Sequence, residues 1–168
     1  MRPHLPQRVI RERHDVLEED KSVTFRADAS APIGGSSGNL FFIGLPGSGR
    51  RTLARLAAGR LGLAYAEAES SDSLPRILEG SGQCVAVTGA DLAEAHVREA
   101  LRASGKVFYL MSLPHILASR LNDPARTQEL AAEAQRLEPH FMAAAHFVMA
   151  VAATEAEMLE DVAEKARL

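Results

Sequence analysis

The chain has 168 residues, 46% of them hydrophobic and 24% charged, which suits one domain with a core of ordinary size. No apolar run reaches the roughly 18–20 residues that a membrane-crossing helix needs, and the single cysteine, Cys84, excludes an internal disulfide and points to a reducing, intracellular compartment. A net charge of −3 and few aromatics, none interleaved with basic residues, argue against a nucleic-acid partner, which needs a basic face or a stacking platform. The opening Met1-Arg-Pro-His-Leu-Pro6 lacks the apolar segment of a secretory leader, so a cytoplasmic protein without a membrane partner is expected.

Residues 1–38 differ from the rest. Met1 to Arg26 is dense in charges of both signs, with Val9, Ile10, Val16 and Leu17 at the spacing of a short amphipathic helix. Ser22 to Arg26 reads as a short strand, and Ala27 to Asn39 as a glycine- and serine-rich linker. A compact domain is expected from residue 39 to 168, with residues 1–26 available as a docking segment for a protein partner.

Strands and helices then alternate. Leu40 to Gly44 is a continuous apolar run, as expected of a strand buried on both faces. A helix from Arg50 to Leu61 follows, with Leu53, Leu56, Ala57 and Arg60 at helical spacing and Gly62 as its stop. Next come a strand over Leu63–Ala68, a short helix over Asp72–Glu79, and a strand over Gln83–Thr88. A helix is expected from Asp91 to about Ala103, then a strand over Lys106–Met111 and a helix from Pro114 to Leu121. After the break at Asn122-Asp-Pro124, a long helix runs from about Arg126 to Ala144, with Pro139 expected to kink or break it. Phe147–Val151 is a further strand, and Thr154 with Glu157 forms a capping box for the last helix. This alternation predicts an α/β fold of three layers around a mostly parallel sheet.

The stretch from Leu40 to Ala57 carries the chemistry. A strand, then Gly44-x-x-Gly47-x-Gly49, then a helix, is the arrangement of a phosphate-binding P-loop. Its backbone N–H groups, with Ser48 and Thr52 beside them, turn toward an anion at the positive end of the helix dipole. A plain tight turn is the alternative. The motif's two side chains are replaced: Arg50 stands at the lysine position and Arg51 at the hydroxyl that holds Mg²⁺. Arginine is bulkier and more planar than lysine, and a cation at the second position repels a metal ion. An anion such as ATP or ADP is the expected ligand; the residues argue against Mg²⁺ and against efficient phosphoryl transfer.

From Leu40 to Leu168 the chain resembles the shikimate kinases, small P-loop kinases that phosphorylate shikimate with ATP. Their Leu-x-Phe-x-Asp-x-Asp segment corresponds to Leu63-Ala-Tyr65-Ala-Glu67-Ala-Glu69. The resemblance implies Glu67 as a Mg²⁺-associated carboxylate and Glu69 as the carboxylate near the accepting hydroxyl; a solvated acidic strand end is the alternative. It implies Gly89 as the place where backbone approaches substrate, Arg120 as the arginine at the nucleotide base, and Arg126 as the lid arginine. Arg136 would bind substrate, but in Arg136-Leu-Glu-Pro139 one extra residue separates arginine and proline, a rotation of about 100° on a helix. The family's helical acceptor-binding region is missing, since only Ser70 to Thr88 fills that interval, with Arg76 its lone basic residue.

The histidines at 4, 14, 96, 115, 140 and 146 show no metal-ligand spacing and read as core or surface residues. Cys84 reads as a small buried hydrophobe, and Phe141, Met142, Phe147 and Met149 as core. Three functions remain open on the sequence. One is a nucleotide- or phosphate-binding pseudokinase with an interaction or regulatory role, in which Arg50 and Glu69 are what is left of the catalytic set. Another is an active ATP-dependent kinase for shikimate or a related hydroxyl acceptor, and the third is a scaffold with an empty loop.

Overall fold

The computed structural model describes residues 24–26, 38–68, 72–150 and 154–168. The helix expected around Val9–Leu17, most of the linker, Glu69 and Val151 lie outside the described residues. Five strands, β2 (Asn39–Ile43), β3 (Ala64–Ala68), β4 (Gln83–Val87), β5 (Gly105–Met111) and β6 (Phe147–Ala150), pair in parallel in the order β6-β5-β2-β4-β3. The expected strand near Ser22–Arg26 is β1 (Thr24–Arg26), which adds to β6 as an antiparallel edge.

Every strand residue from Leu40 to Ile43 is buried, because helices cover both faces of the sheet. Phe41, Ile43, Val85, Val107 and Tyr109 point to one face. There they meet α2 (Leu74–Leu78), α3 (Ala95–Ser104), α4 (Pro114–Arg120) and α5 (Thr127–Ala144). Leu40, Phe42, Cys84, Phe108 and Phe147 point to the other face, against α1 (Arg50–Leu61) and α6 (Glu155–Lys165). The parallel register aligns Phe42 with Phe108 and Phe108 with Phe147. Their rings stack at 5.4 and 5.2 Å across three adjacent strands, each pair adding about 0.5–1.5 kcal/mol beyond area burial. This is the expected three-layer α/β architecture.

Several local expectations are corrected. The helix after β4 begins at Ala95, not Asp91: Gly89–Ala93 forms a 3₁₀ turn that buries Leu92, and Glu94 is extended between the two. Arg98 secures the turn by donating to the carbonyls of Leu92 and Ala93 at 2.8 and 3.0 Å. Pro139 does not break α5, which runs unbroken from Thr127 to Ala144. The carbonyl it leaves unpaired belongs to the exposed Gln135, where water can reach it. Met142 is not core but 42% exposed, because the buried stripe of α5 is Leu130, Leu137, Phe141 and Ala144. On α1 the buried stripe is Leu53, Ala54, Ala57 and Ala58, leaving Leu56 outward, since the alanines let the helix lie close to the sheet. No helix among the described residues is long and apolar enough to cross a membrane.

Candidate functional site

The strand order creates one special crevice. From β2 the chain crosses toward β3, and from β5 it crosses the other way toward β6, so the loops after these neighbouring strands part. Ligands of open α/β sheets bind at such a switch point, beyond the carboxyl ends of the strands. A cleft of about 560 Å³ lies there, floored by residues 46–53 and closed by Leu110, Arg120, Leu121, Glu155 and Met158.

The loop's shape follows from Leu45-Pro-Gly-Ser48. Ser48 N–H donates to the Leu45 carbonyl at 3.1 Å, and Gly47 has φ +87°. Proline then glycine at the two central positions is the signature of a type II turn. A Cβ on Gly47 would also lie 2.7 Å from the Leu117 carbonyl oxygen, so both backbone and packing demand glycine. A Cβ on Gly44, just after β2, would lie 2.7 Å from Ser48 Oγ and 2.9 Å from the Leu110 carbonyl oxygen. Gly49, left-handed, caps α1 through its carbonyl, which accepts from Leu53 N–H at 2.9 Å.

The first backbone N–H groups of α1, like those of any helix, lack intrahelical acceptors, and no side chain caps them. Its first turn holds no acid but two arginines, which oppose the positive end of the helix dipole. Arg50 is half-buried; one terminal nitrogen donates to the Leu45 carbonyl at 3.4 Å, and its buried Nε has no partner among the described residues. Burial, and next the neighbouring Arg51, lower the Arg50 pKa from its usual range, while Glu67 and Tyr65 oppose the shift. Ser48 is 1% exposed and its Oγ has no hydrogen-bond partner among the described residues. Arg120, the last residue of α4, reaches over the loop to the carbonyls of Gly47 and Ser48, 3.4 Å from each.

Seven of the expected nucleotide-site residues therefore meet around the cleft: Gly47, Ser48, Gly49, Arg50, Arg51, Thr52 and Arg120. Gly44 lies behind the loop. Arg126 is not part of the cleft wall and pairs with Glu129 at 3.5 Å. Arg136, with its side chain 66% exposed, pairs with Glu133 along α5 at 3.6 Å. Gly89 is packed under the Phe141 ring, which a Cβ there would meet at 2.9 Å. Glu69 lies outside the described residues. The wall residues Glu155 and Met158 carry no signal in the sequence, because they join the cleft only where α6 packs beside α1, and Leu121 joins it from the end of α4.

Glu67 does not line the cleft and adjoins it through Arg51. Its Oε1 accepts from the Tyr65 hydroxyl at 2.5 Å, lies 3.4 Å from Arg55, and 3.8 Å from Arg51 Nε. Arg55 also sits over the Tyr65 ring at 5.0 Å. Tyr65 is pushed up to about 12 by burial and then by its bond to Glu67. The residues do not fit Mg²⁺. Arginine stands at the position where the P-loop pattern has a hydroxyl, Glu67 is engaged by two guanidiniums, and no group of three or more His, Cys, Asp or Glu side chains that could hold a metal ion occurs among the described residues. A nucleotide's phosphates do fit, since the loop offers N–H donors and cations.

No protein-family profile matches the sequence, and no curated protein does. Solved structures do match in shape. A shikimate kinase from Bacteroides thetaiotaomicron superposes with a TM-score of 0.68 at 15% identity, covering 77% of this chain and 98% of its own. Shikimate kinase from Acinetobacter baumannii, solved with shikimate, gives 0.61 at 19%, covering 76% and 89%. The YorR protein of Bacillus subtilis, solved with phosphorylated GDP, gives 0.59 at 12%, covering 77% and 96%. With five parallel strands in this order and a glycine loop leading into α1, the chain has the fold of the shikimate kinases and related P-loop kinases.

Proposed function

We propose that the cleft binds the phosphates of a nucleotide such as ADP or ATP, and that phosphoryl transfer is weak or lost. One observation carries this reading. The start of α1 gathers uncapped N–H groups, the half-buried Arg50 and the bridging Arg120, with no acid in the first turn. Positive charge at the positive end of a helix is unfavourable by about 0.3–1 kcal/mol for each exposed group. A sequence retains such a local conflict where an anion relieves it. The backbone from Gly47 to Gly49, Arg50 and Arg120 would hold the phosphates; Ser48 Oγ adds a donor.

Transfer is a different matter. It needs charge neutralisation at the migrating phosphoryl group and a positioned acceptor. Arg51 replaces the metal's hydroxyl, Glu67 is tied to guanidiniums, and Arg136 and Gly89 are engaged elsewhere. The protein's work is then interaction or regulation coupled to nucleotide occupancy, with the chain that precedes β1 as its docking segment, since Thr24–Arg26 pair with β6. Two measurements on the purified chain test this. Titration with ADP should give saturable binding, and a coupled ADP-release assay with ATP and shikimate should show no turnover above the no-enzyme rate. Turnover abolished by Arg50→Ala would instead establish an active kinase.

A further inference from the structure

We propose that Arg51 replaces the metal as a built-in counter-charge, so that the cleft takes the metal-free form of a di- or triphosphate and Mg²⁺ competes with the protein for it. The inference rests on the cleft being a phosphate site and goes further, to the ionic form of the ligand.

Arg51, Glu67, Arg55 and Tyr65 make one cluster. Arg51 and Arg55 lie one helical turn apart on α1, and Tyr65 and Glu67 lie two residues apart on β3, so each pair shares a face. Glu67 approaches Arg51 through Nε at 3.8 Å, and Arg51 lines the cleft beside Arg50. Two guanidiniums against one carboxylate leave a net positive charge, where a metal site would need the carboxylate's negative charge uncompensated.

The cleft wall carries three cations, Arg50, Arg51 and Arg120, against one acid, Glu155. A diphosphate without metal presents its full negative charge to them. Bound to Mg²⁺, the same group loses two charges, and the chelated metal would stand in the positive field of Arg50 and Arg51 at the cleft wall. Chelation therefore weakens attraction and adds repulsion.

Calorimetric titration of ADP in EDTA, and again with millimolar Mg²⁺ at matched ionic strength, reads the effect. Affinity should be about tenfold or more lower with Mg²⁺. Inorganic pyrophosphate should show the same fall, because the phosphates and not the base carry it. Arg51→Thr restores a hydroxyl on an exposed first-turn position. It should bind ADP more weakly in EDTA and lose the Mg²⁺ penalty, with its melting temperature confirming a folded chain. Wild-type binding strengthened by Mg²⁺ would overturn this inference and leave the proposed function standing. An undiminished Mg²⁺ penalty in Arg51→Thr, or none with pyrophosphate, would also overturn it. Absence of binding in every buffer would overturn both.

Discussion

Gly47→Ala is the substitution whose effect follows most directly from the loop. At φ +87° a side chain pays about 1–2 kcal/mol for the left-handed conformation. The new methyl would also stand 2.7 Å from the Leu117 carbonyl oxygen and 3.2 Å from that residue's carbonyl carbon and Cα. These are backbone atoms at the middle of α4, so the loop must move, at a further cost of about 1–3 kcal/mol. A total near 3 kcal/mol lowers the melting temperature of a chain this long by roughly 6–12 °C. The same displacement spoils the N–H cradle, so ADP binding should fall below detection. Gly59→Ala is the control. Gly59 lies on the exposed side of α1, and a Cβ there would meet nothing within 4 Å. Alanine should therefore stabilise the helix by about 0.5–1 kcal/mol, raising the melting temperature by roughly 1–4 °C. Differential scanning fluorimetry of both variants, with ADP titrations, gives the answer. A Gly47→Ala protein that melts within about 1 °C of the parent and binds ADP unchanged would show that neither the left-handed backbone nor the Leu117 carbonyl constrains this position.

Other consequences concern the core and its titrating groups. Phe108→Ala empties the centre of the three-ring stack and should cost about 3–5 kcal/mol in chemical denaturation; a loss of under about 1.5 kcal/mol would contradict that packing. Asp91, with one carboxylate oxygen buried and without a partner among the described residues, has its pKa raised by burial and then by Asp72. A raised carboxyl pKa means that the folded state binds the proton more tightly than the unfolded one, so stability is gained as pH falls through that pKa. Asp91→Asn should therefore melt slightly higher than the parent at neutral pH, the gap closing in the acid range, and a variant less stable at neutral pH would contradict the sign. Cys84 is fully buried, and burial pushes its thiol up to about 12. It should resist a thiol reagent at pH 8 in the native chain and react in denaturant, whereas fast native labelling would place it at the surface.

Much of the fold was legible because both faces of the sheet are covered. Leu40–Ile43, Cys84–Val87 and Val107–Leu110 read as strands from their unbroken apolar runs, and the Gly44-x-x-Gly47-x-Gly49 spacing marks the loop. The Thr154 cap was equally plain: its hydroxyl accepts from Glu157 N–H at 3.2 Å. What the sequence hid was set by tertiary contact. The 3₁₀ turn at Gly89–Ala93 exists because Leu92 enters the core and Gly89 fits under Phe141, neither of which shows in local spacing. Met142 and Leu56 are apolar residues about 100° off the buried stripes of their helices, which periodicity alone places wrongly. At the site, the loop and its two arginines were visible. The engagement of Glu67 by Arg51 and Arg55 was not, because it depends on β3 lying beside α1.

If the loop at the start of α1 is a working phosphate cradle, a calorimetric titration of ADP into the wild-type chain in EDTA will show it. Saturable binding at one site per chain, lost in Gly47→Ala but kept in Gly59→Ala, is the predicted result. A flat titration with a folded wild-type chain would contradict it and leave the sheet and its helices as an interaction platform.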